Sequence, residues 1–533
     1  MNNNSLQDSQ EAILQHSDTN PAQATEPTQA NNSKSHDSSL GAGRAEAIAT
    51  IDSVVDGSLL NKLAALRPED TSRYKDTEQG WGYLLADVLK DEARYCPERK
   101  SWYVNNGTRW EHDPKSLKVG ERVKQLADAL HFYYLQLPEN MRGQLSSSWS
   151  KWQKRSTRKN ILADAESVYP ISFADFDTDP YLYNVINGTL NLKTGKLQSH
   201  CADDLITMLA PVVYNPQATL PRWIEFVDEV TGGDKQKAKV LQQALGYTLS
   251  GSNYLEKLFM LHGATSRNGK TTTVETILGV HGDYGATADP EMLSTNRNTG
   301  GGLKATPDLA RLVRARFVSL SELPKTMRLN NAQVKQLTGS DSVIARFLNE
   351  NPFEFVPQFK LFFNTNDLPT ASDMTLFKSG RVVVIPFDRH FTEAEQDNTL
   401  KQQFSTSKAK SAVLNWLLEG WQSLQSEGLI LPDSVVSAID DYKVENDAIK
   451  RFVDECLVPD ANERIKTATL LTYYQKWARD NGFDELGKNT FKGELERSGL
   501  TVKRCSPIAG GNPTSHLVGY RLAEHASNPL ALQ

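Results

Sequence analysis

One loop in the middle of the chain restricts the folds that this sequence can adopt. Residues 258–261 are all apolar and predict a strand, and apolar residues at helical spacing begin at Val274. The polar loop between them ends in Gly269, Lys270 and Thr271. Strand, glycine-containing loop and helix are the parts of a phosphate-binding loop, so the sequence predicts an α/β fold with a P-loop ATPase core.

This loop predicts ATP and Mg²⁺ as cofactors. Lys270 would reach the β- and γ-phosphates, Thr271 would ligate Mg²⁺, and backbone N–H groups would face the phosphates. The usual spacing is G-x-x-x-x-G-K-[ST], but here Gly263 lies one residue early and Ala264 holds the expected glycine position. The predicted nucleotide-binding residues are Gly263, Ala264, Thr265, Ser266, Arg267, Asn268, Gly269, Lys270, Thr271 and Thr272.

A second strand ends in an acidic residue 52 residues after Lys270. Residues 315–320 are mostly apolar, and Ser321 and Glu322 follow them. We predict that Glu322 polarises the attacking water and that Ser321 and Glu322 lie near the metal ion. Many ATPases of this type have two acids at this point, whereas this chain has one.

Two later positions complete the predicted catalytic set. Asn366 follows the apolar run 361–363, where a polar residue can hold the lytic water or sense the γ-phosphate; alternatively, Asn366 and Asp367 form a simple turn. Arg381 precedes another apolar run. In an oligomeric ATPase an arginine at this point commonly reaches the γ-phosphate of the neighbouring subunit, although a lone surface arginine is usually only solvated.

Composition limits the remaining possibilities. A chain of 533 residues is too long for one ordinary core and predicts two to four domains. Its four cysteines lie far apart without a C-x-x-C pair, which argues against zinc ribbons and disulfides and predicts a reducing cytoplasm. The net charge of -6 predicts only local contacts with DNA. No apolar run is long enough to predict a membrane span or a signal peptide.

The motifs resemble those of a known family in their order. The segments RNGKTT, SEL, KQLTGSD, NPFEF, KLFFNTNDLP and GRVVVIPFD resemble superfamily 3 helicases. More closely, they are similar to the phage and plasmid primase-helicase family that includes the poxvirus primase-helicases. The segments DPYLYNVINGTLNLKTGKL and YKVENDAIKRFVDE extend the resemblance beyond the ATPase, to residues of about 75–525.

This resemblance implies a hexameric AAA+-like ring that translocates on single-stranded or forked DNA. It also implies a role in replication of a phage, plasmid or integrated element in the cytoplasm of a bacterial host. Separate primase or replication proteins are implied as partners. Lys335 matches a basic position before the pore hairpin, and Arg346 lies in the matching hairpin region, which is less basic than usual. Gly380 stands where many relatives have a second arginine beside Arg381.

Together these patterns predict a division of the chain. The expected segments are a disordered tail (1–45), an N-terminal α+β helicase-associated domain (46–215), a helical collar (216–254), the ATPase (255–395), a helical linker (396–445), a winged-helix-like DNA-binding domain (446–525) and a tail (526–533). Local patterns predict helices around 81–89, 123–135, 223–249, 412–425, 432–442 and 465–479, a hairpin at 101–113, and strands within 180–214.

The last predicted unit combines two helices with two strands. Lys488 and Lys492 lie on the second helix, and Lys503 and Arg504 on the first strand. This pattern fits a winged helix that binds DNA through these four residues; the alternative is a packing module with a solvated basic face.

A primase motif is the weaker interpretation of residues 171–177. Two carboxylates, Asp175 and Asp177, could share one face of a strand and bind Mg²⁺. The sequence has no matching histidine motif downstream and no zinc-binding cysteine cluster, so an acidic surface strand or linker is favoured.

The leading hypothesis is therefore an ATP-driven replicative DNA helicase. One alternative is an initiator ATPase that binds origin DNA and recruits a host helicase. A signalling NTPase of the STAND type is disfavoured by the absence of sensor repeats.

Overall fold

A computed structural model describes residues 56–523 apart from 296–306, 322, 325–326, 349, 372–373, 482, 484 and 507–511. It gives the backbone of 143–149 without their side chains. The predicted tails, 1–45 and 526–533, lie outside the described residues, as does Glu322. No helix in the described part is long and apolar enough to cross a membrane.

The first region combines helices with two small antiparallel sheets. Its elements are α1 (Gly57–Leu66), α2 (Glu78–Leu89), β1 (Ala93–Cys96), β2 (Ser101–Asn105), β3 (Trp110–Asp113), α3 (Leu117–Gln136), α4 (Glu139–Trp152), α5 (Arg155–Ala165), β4 (Leu182–Val185), β5 (Gly188–Asn191) and β6 (Lys196–Gln198). The sheets have the orders β1-β2-β3 and β4-β5-β6. The predicted hairpin at 101–113 and the helix around 81–89 are confirmed, and the helix buries Trp81 and Leu85 against α5 and its neighbours.

The second region is built around a parallel sheet. Its elements are α6 (Pro221–Val230), α7 (Lys235–Tyr247), β7 (Leu258–His262), α8 (Lys270–His281), β8 (Gly285–Ala288), α9 (Pro307–Ala310), β9 (Phe317–Ser321), β10 (Arg328–Leu329), α10 (Asn331–Thr338), β11 (Val343–Ala345), β12 (Phe353–Phe355), β13 (Lys360–Thr365), β14 (Thr370–Ala371), α11 (Thr375–Lys378), β15 (Val382–Pro386), α12 (Leu400–Ser405), α13 (Ser407–Glu427) and α14 (Asp433–Glu445). The main sheet has the order β15-β7-β13-β9-β8, and all its pairs are parallel. The predicted α/β class is thus confirmed as a mixed α/β fold with a parallel sheet.

The helical stretch predicted at 223–249 consists of two helices, α6 and α7. Gly232 and Gly233 have φ of 67° and 77°, which no right-handed helix accommodates. The second helix then restarts at Asp234, whose carboxylate accepts the N–H groups of Gln236 and Lys237 at 3.0 Å each.

One hydrophobic core crosses the boundaries predicted at 215, 254 and 395. Tyr183, Phe226, Leu245, Phe259 and Trp421 all belong to it. Helix α13, expected to be part of a linker, packs along α7 and contributes many of its buried residues. The division into domains stays a prediction, but burial couples these segments into one packed body.

Two buried cations anchor the amino-terminal edge of the main sheet. The Arg316 guanidinium donates to the carbonyls of Leu182 and Leu249, and the Lys360 ammonium donates to the carbonyl of Ser250. Burial lowers the pKa of Lys360 well below its usual value. These bonds tie the sheet to β4 and to the chain after α7, so this edge is occupied by internal packing.

The third region has its own core around Phe452, Tyr474 and Phe491. Its elements are α15 (Ala448–Cys456), β16 (Leu457–Lys466), α16 (Thr467–Asp480), α17 (Lys488–Arg497), β17 (Val502–Cys505) and β18 (Thr514–Leu522). The antiparallel sheet has the order β16-β18-β17. The sequence missed α15 and β16, and it placed the start of α16 two residues early because Ile465 belongs to the strand. The winged-helix assignment stays a prediction.

Candidate functional site

The predicted catalytic residues come from neighbouring strands of the parallel sheet. Strand β7 lies between β15 and β13, and β13 separates it from β9. Because the strands are parallel, the phosphate loop after β7, Asn366 after β13 and Ser321 at the end of β9 all lie at the carboxyl edge. Ligands bind in open α/β sheets at this edge.

Lys270 and Asn366, which are 96 residues apart in the sequence, form a direct contact. The Lys270 ammonium donates to Asn366 Oδ1 at 2.7 Å and to the Gly263 carbonyl at 3.0 Å. Both acceptors are neutral. The contact favours a functional role for Asn366 over the simple turn, and that role stays a prediction.

Burial changes the acidity of Lys270. Its side chain is almost fully buried, and desolvation lowers the pKa of the ammonium to about 8. A negative ligand at this point would favour the charged form.

The glycines of the loop are required by close packing. Gly269 has φ of 86°, and a Cβ there would lie 2.4 Å from Val230 Cγ1. A Cβ on Gly263 would lie 2.4 Å from the Phe387 carbonyl oxygen. A glycine is therefore needed at position 263, one residue before the usual glycine of a phosphate loop. The reason is that the chain just after β7 packs against Phe387, which follows β15.

Most of the predicted loop is open to a ligand. Residues 264–267 and Thr271 are exposed, and Thr272 is half-buried. Asn268 is instead buried, and its Nδ2 donates to the Thr265 carbonyl at 2.7 Å, which stabilises the loop. The chain after β15 supports the loop from outside, because Phe391 N–H donates to the Arg267 carbonyl at 2.9 Å.

A cavity of about 410 Å³ adjoins the phosphate loop. Arg267, Gly269, Thr271 and Thr272 line one side of it. The other walls come from α6 and from the segment 391–401: Arg222, Phe226, Glu229, Phe391, Glu395, Gln396, Asp397, Asn398, Leu400 and Lys401. These wall residues were not predicted from the sequence, because nothing in their local pattern marks them as part of a binding site.

Arg381 lies at the opposite edge of the sheet from the phosphate loop of its own chain. It precedes β15, at the amino end where Val382 pairs with Leu258. Its guanidinium forms an ion pair with Glu256 at 2.5 Å and donates to Thr338 Oγ1 at 2.9 Å. Within one chain it therefore cannot reach a nucleotide on Lys270.

The predicted DNA-contacting residues fall into two groups. Lys335 lies on α10 and donates to Thr375 Oγ1 at 2.8 Å, and Arg346 lies in the loop between β11 and β12. The other four lie on α17 and β17, which contact each other: Lys488, Lys492, Lys503 and Arg504. The structure does not bring either group to the phosphate loop.

The strand expected at 171–177 is wrong. Residues Phe173–Asp175 form a 3-10 helix, and Asp175 accepts the Ser172 N–H as part of its cap. Asp177 is buried and pairs with Arg314 at 2.9 Å. The two carboxylates have separate structural partners, and no group of three potential metal ligands occurs among the described residues.

The fold and the site together describe a P-loop-type α/β protein, and comparisons with known proteins agree. A family model described as "D5 N terminal like" matches residues 82–232, and one described as "Poxvirus D5 protein-like" matches 444–500. These two matches support a relationship to the poxvirus D5-type primase-helicase family. The predicted family resemblance is thus confirmed.

Several viral proteins are similar to this chain. "Putative helicase L207/L206" of Acanthamoeba polyphaga mimivirus is 26% identical over 356 residues, which are 62% of this chain and 37% of that protein. "Putative helicase 022R" of Frog virus 3 is 28% identical over 282 residues, which are 50% of this chain and 28% of that protein. The chain thus spans only about a third of the length of these relatives. A solved structure of the NrS-1 C terminal region covers 82% of this chain and 98% of its own, with 10% identity and a TM-score of 0.42.

Nucleotide affinity is expected to fall as the pH rises above about 8, because Lys270 attracts phosphate only when it is protonated. Bound phosphates raise the pKa of the ammonium, so above that pH the complex keeps a proton that the free loop has lost. The fall approaches roughly tenfold per pH unit until the pKa of the complex is reached. Below about pH 8 both states are protonated, and this group no longer changes the affinity.

The measurement is a titration with a non-hydrolysable ATP analogue between about pH 7 and pH 9.5. Lys270→Arg is the control, because its guanidinium stays charged throughout this range. An equal fall in both proteins would assign the pH dependence to another group.

Proposed function

We propose that this chain is an ATP-driven DNA helicase that acts in the replication of a virus or other mobile genetic element. The observation that carries the proposal is the placement of Lys270 between the Gly263 carbonyl and Asn366 Oδ1 at the carboxyl edge of the sheet. Phosphate oxygens would replace these neutral acceptors and pair the ammonium with negative charge. Similarity to D5-type proteins and to viral proteins named putative helicases supports DNA as the substrate.

The residues of the carboxyl edge divide the work of hydrolysis. Lys270 and the loop N–H groups hold the β- and γ-phosphates, and Thr271, Ser321 and Glu322 would hold Mg²⁺. The metal ion neutralises charge that develops on the phosphates. Glu322 is the proposed base for the attacking water, and Asn366 orients the water or the γ-phosphate.

The cavity beside the loop is the proposed site for the nucleoside. Its volume of about 410 Å³ lies within the range of small-molecule sites, roughly 300–1,000 Å³. Phe226 and Phe391 offer apolar surface to a base, while Arg222 and Glu229 supply polar groups. The position next to Thr271 and Thr272 suits a nucleotide whose phosphates lie on the loop.

A hexameric ring is the proposed assembly, with Arg381 completing the site of the neighbouring subunit. Lys335 and Arg346 are proposed to contact single-stranded DNA, which such a ring grips without reading sequence. The α15–β18 unit is proposed as a winged-helix-like module that binds duplex or forked DNA through Lys488, Lys492 and the two basic residues of β17.

Wild-type protein is expected to separate a forked duplex in the presence of ATP and Mg²⁺, whereas Glu322→Gln is expected to bind ATP and separate almost none. The amide keeps the shape of the side chain and removes the base, which lowers hydrolysis by roughly 10²–10⁴-fold. The measurements are release of a labelled strand, phosphate release and retention of labelled ATP.

Hydrolysis at the wild-type rate by Glu322→Gln would contradict the assignment of the base. A wild-type protein that hydrolyses ATP, binds DNA and separates no strands would instead favour the initiator ATPase.

A further inference from the structure

The chain contains a concentrated basic segment that none of the predicted DNA contacts includes. Residues 140–163 contain six basic residues and no acidic one, whereas the whole chain has 65 acidic and 59 basic residues. The six are Arg142, Lys151, Lys154, Arg155, Arg158 and Lys159. They lie on α4 and α5 and on the short connection between these helices.

Two of these residues have clear structural partners. The Lys151 ammonium pairs with Asp76 at 3.0 Å. The Arg158 guanidinium donates to the carbonyls of Trp152 and Gln153 at 2.8 Å and 2.6 Å, which satisfies the end of α4. Both residues therefore contribute to holding the fold.

A third residue, Arg142, donates to the Leu137 carbonyl at 2.7 Å. The remaining three have no such role. Lys154, Arg155 and Lys159 are exposed, and in the described part of the chain none of them forms an ion pair or a side-chain hydrogen bond. Two acids beside the segment have other partners, since Glu78 accepts from Asn160 and Asp128 accepts from Gln153. We call Lys154, Arg155 and Lys159 the α5 basic patch.

The arrangement of the patch is unfavourable for the folded chain alone. Arg155 and Lys159 are four residues apart on one face of α5, where like charges repel. Lys154 and Arg155 also lie at the amino end of the helix, where its dipole already places positive charge. Among the described residues no acid pairs with these three cations, whereas the phosphates of a polyanionic ligand would neutralise them.

The surface around the patch selects the kind of polyanion. The apolar face of α5, with Ile161 and Ala165, is buried in the core, so the helix has no free apolar face to insert into a membrane. Its exposed neighbours are polar, including Ser156 and Asn160. Arg155 and Lys159 are four residues apart on α5, which places them about 6 Å apart along the helix axis. This separation suits successive backbone phosphates.

We propose that the α5 basic patch binds the phosphate backbone of a nucleic acid, without reading its sequence. The inference rests on the proposed action of this chain on DNA, and it adds a contact surface in the region that matches the D5 N terminal-like model. Contacts of this kind position a strand and carry no base specificity.

The test replaces all three patch residues in the full chain, as Lys154→Gln, Arg155→Gln and Lys159→Gln. Dissociation constants are measured for single-stranded and duplex oligonucleotides at several salt concentrations. If the variant loses contacts with three phosphates, the steepness of log K against log salt decreases by about 2 for a single strand, at roughly 0.7 per phosphate. Near 0.1 M salt this corresponds to a Kd roughly 10–100-fold higher. If the Kd of the variant rises more for the single-stranded oligonucleotide, the patch contacts single strands. If it rises more for the duplex, the patch contacts duplex DNA.

The control variant makes the same change in net charge elsewhere, as Lys124→Gln, Lys235→Gln and Lys239→Gln. These exposed lysines pair with Glu121, Asp228 and Glu427. The control is expected to keep the wild-type Kd and slope. An unchanged slope in the patch variant, or an equal loss in the control, would overturn the proposal.

ATP hydrolysis without DNA separates this proposal from the proposed function. Both triple variants are expected to hydrolyse ATP as the wild type does, because neither set contacts the phosphate loop. A wild type without ATPase activity would contradict the helicase proposal, yet a selective loss of binding by the patch variant would still support the patch.

Discussion

Lys270→Ala is expected to lower ATP hydrolysis by more than about 100-fold, the low end for removing one preorganised donor from a charge-stabilising site. The variant removes the only ammonium that lies between the loop and Asn366 in the described structure. Its fold should persist, because alanine is the best helix former at the start of α8 and the two lost acceptors lie next to an exposed loop. Phosphate release at saturating ATP and a thermal unfolding curve are the measurements.

Lys239→Ala is the matched control, since this exposed lysine pairs with Glu427 away from the loop and should leave hydrolysis unchanged. Comparison of nucleotide binding and turnover would show at which step Lys270 acts. Wild-type turnover in a Lys270→Ala preparation with a normal unfolding curve would refute the P-loop assignment.

Arg381→Ala is expected to lower hydrolysis by roughly 10³–10⁵-fold, the range for an arginine that stabilises phosphoryl transfer. Because Arg381 lies at the amino edge of the sheet and the loop lies at the carboxyl edge, the effect must pass through a second subunit. Mixing Arg381→Ala with Lys270→Ala protein should then restore part of the activity. Each variant supplies the half-site that the other lacks.

Glu256→Gln separates this catalytic role from a structural one. Arg381 is paired with Glu256 at 2.5 Å and also bonds to Thr338. If the arginine only holds these elements together, Glu256→Gln should lose activity and unfolding temperature as Arg381→Ala does. If it acts in the neighbouring site, Glu256→Gln should keep most activity. Absence of recovery in mixed oligomers, with subunit exchange demonstrated, would argue against a role in trans.

Local patterns were sufficient for the elements whose signal is contained in a short segment. The predicted loop follows β7 and leads into α8, where the apolar periodicity changes from that of a strand to that of a helix. Gly269 supplies the left-handed backbone conformation, with φ of 86°, just before α8. The hairpin at 101–113 followed from its turn residues in the same way. The order of the motifs also indicated the family resemblance, although overall identity to the viral relatives is low.

Local patterns failed where the competing interaction was distant or subtle. Residues 223–249 were predicted only as a helical stretch, and Gly232 and Gly233, both with positive φ, divide it into two helices. Residues 171–177 alternate as a strand would, but Ser172 and Asp175 cap a 3-10 helix at 173–175, and Asp177 forms a buried pair with Arg314. Strand β16 contains charged and polar residues, and its pairing with β18 outweighs its weak strand propensity.

The sequence by itself was sufficient to predict a P-loop, the α/β class and the family resemblance, because each depends on residues that are close together or fixed in order. Only the tertiary structure decided which distant residues share the site. The order of the parallel strands places Asn366 beside Lys270 and Arg381 at the opposite edge of the sheet. Helix α6 and residues 391–401 pack beside the loop and enclose the cavity. Such contacts depend on how strands are ordered and how helices pack over them, and these are set by burial of the whole core, which no short segment specifies.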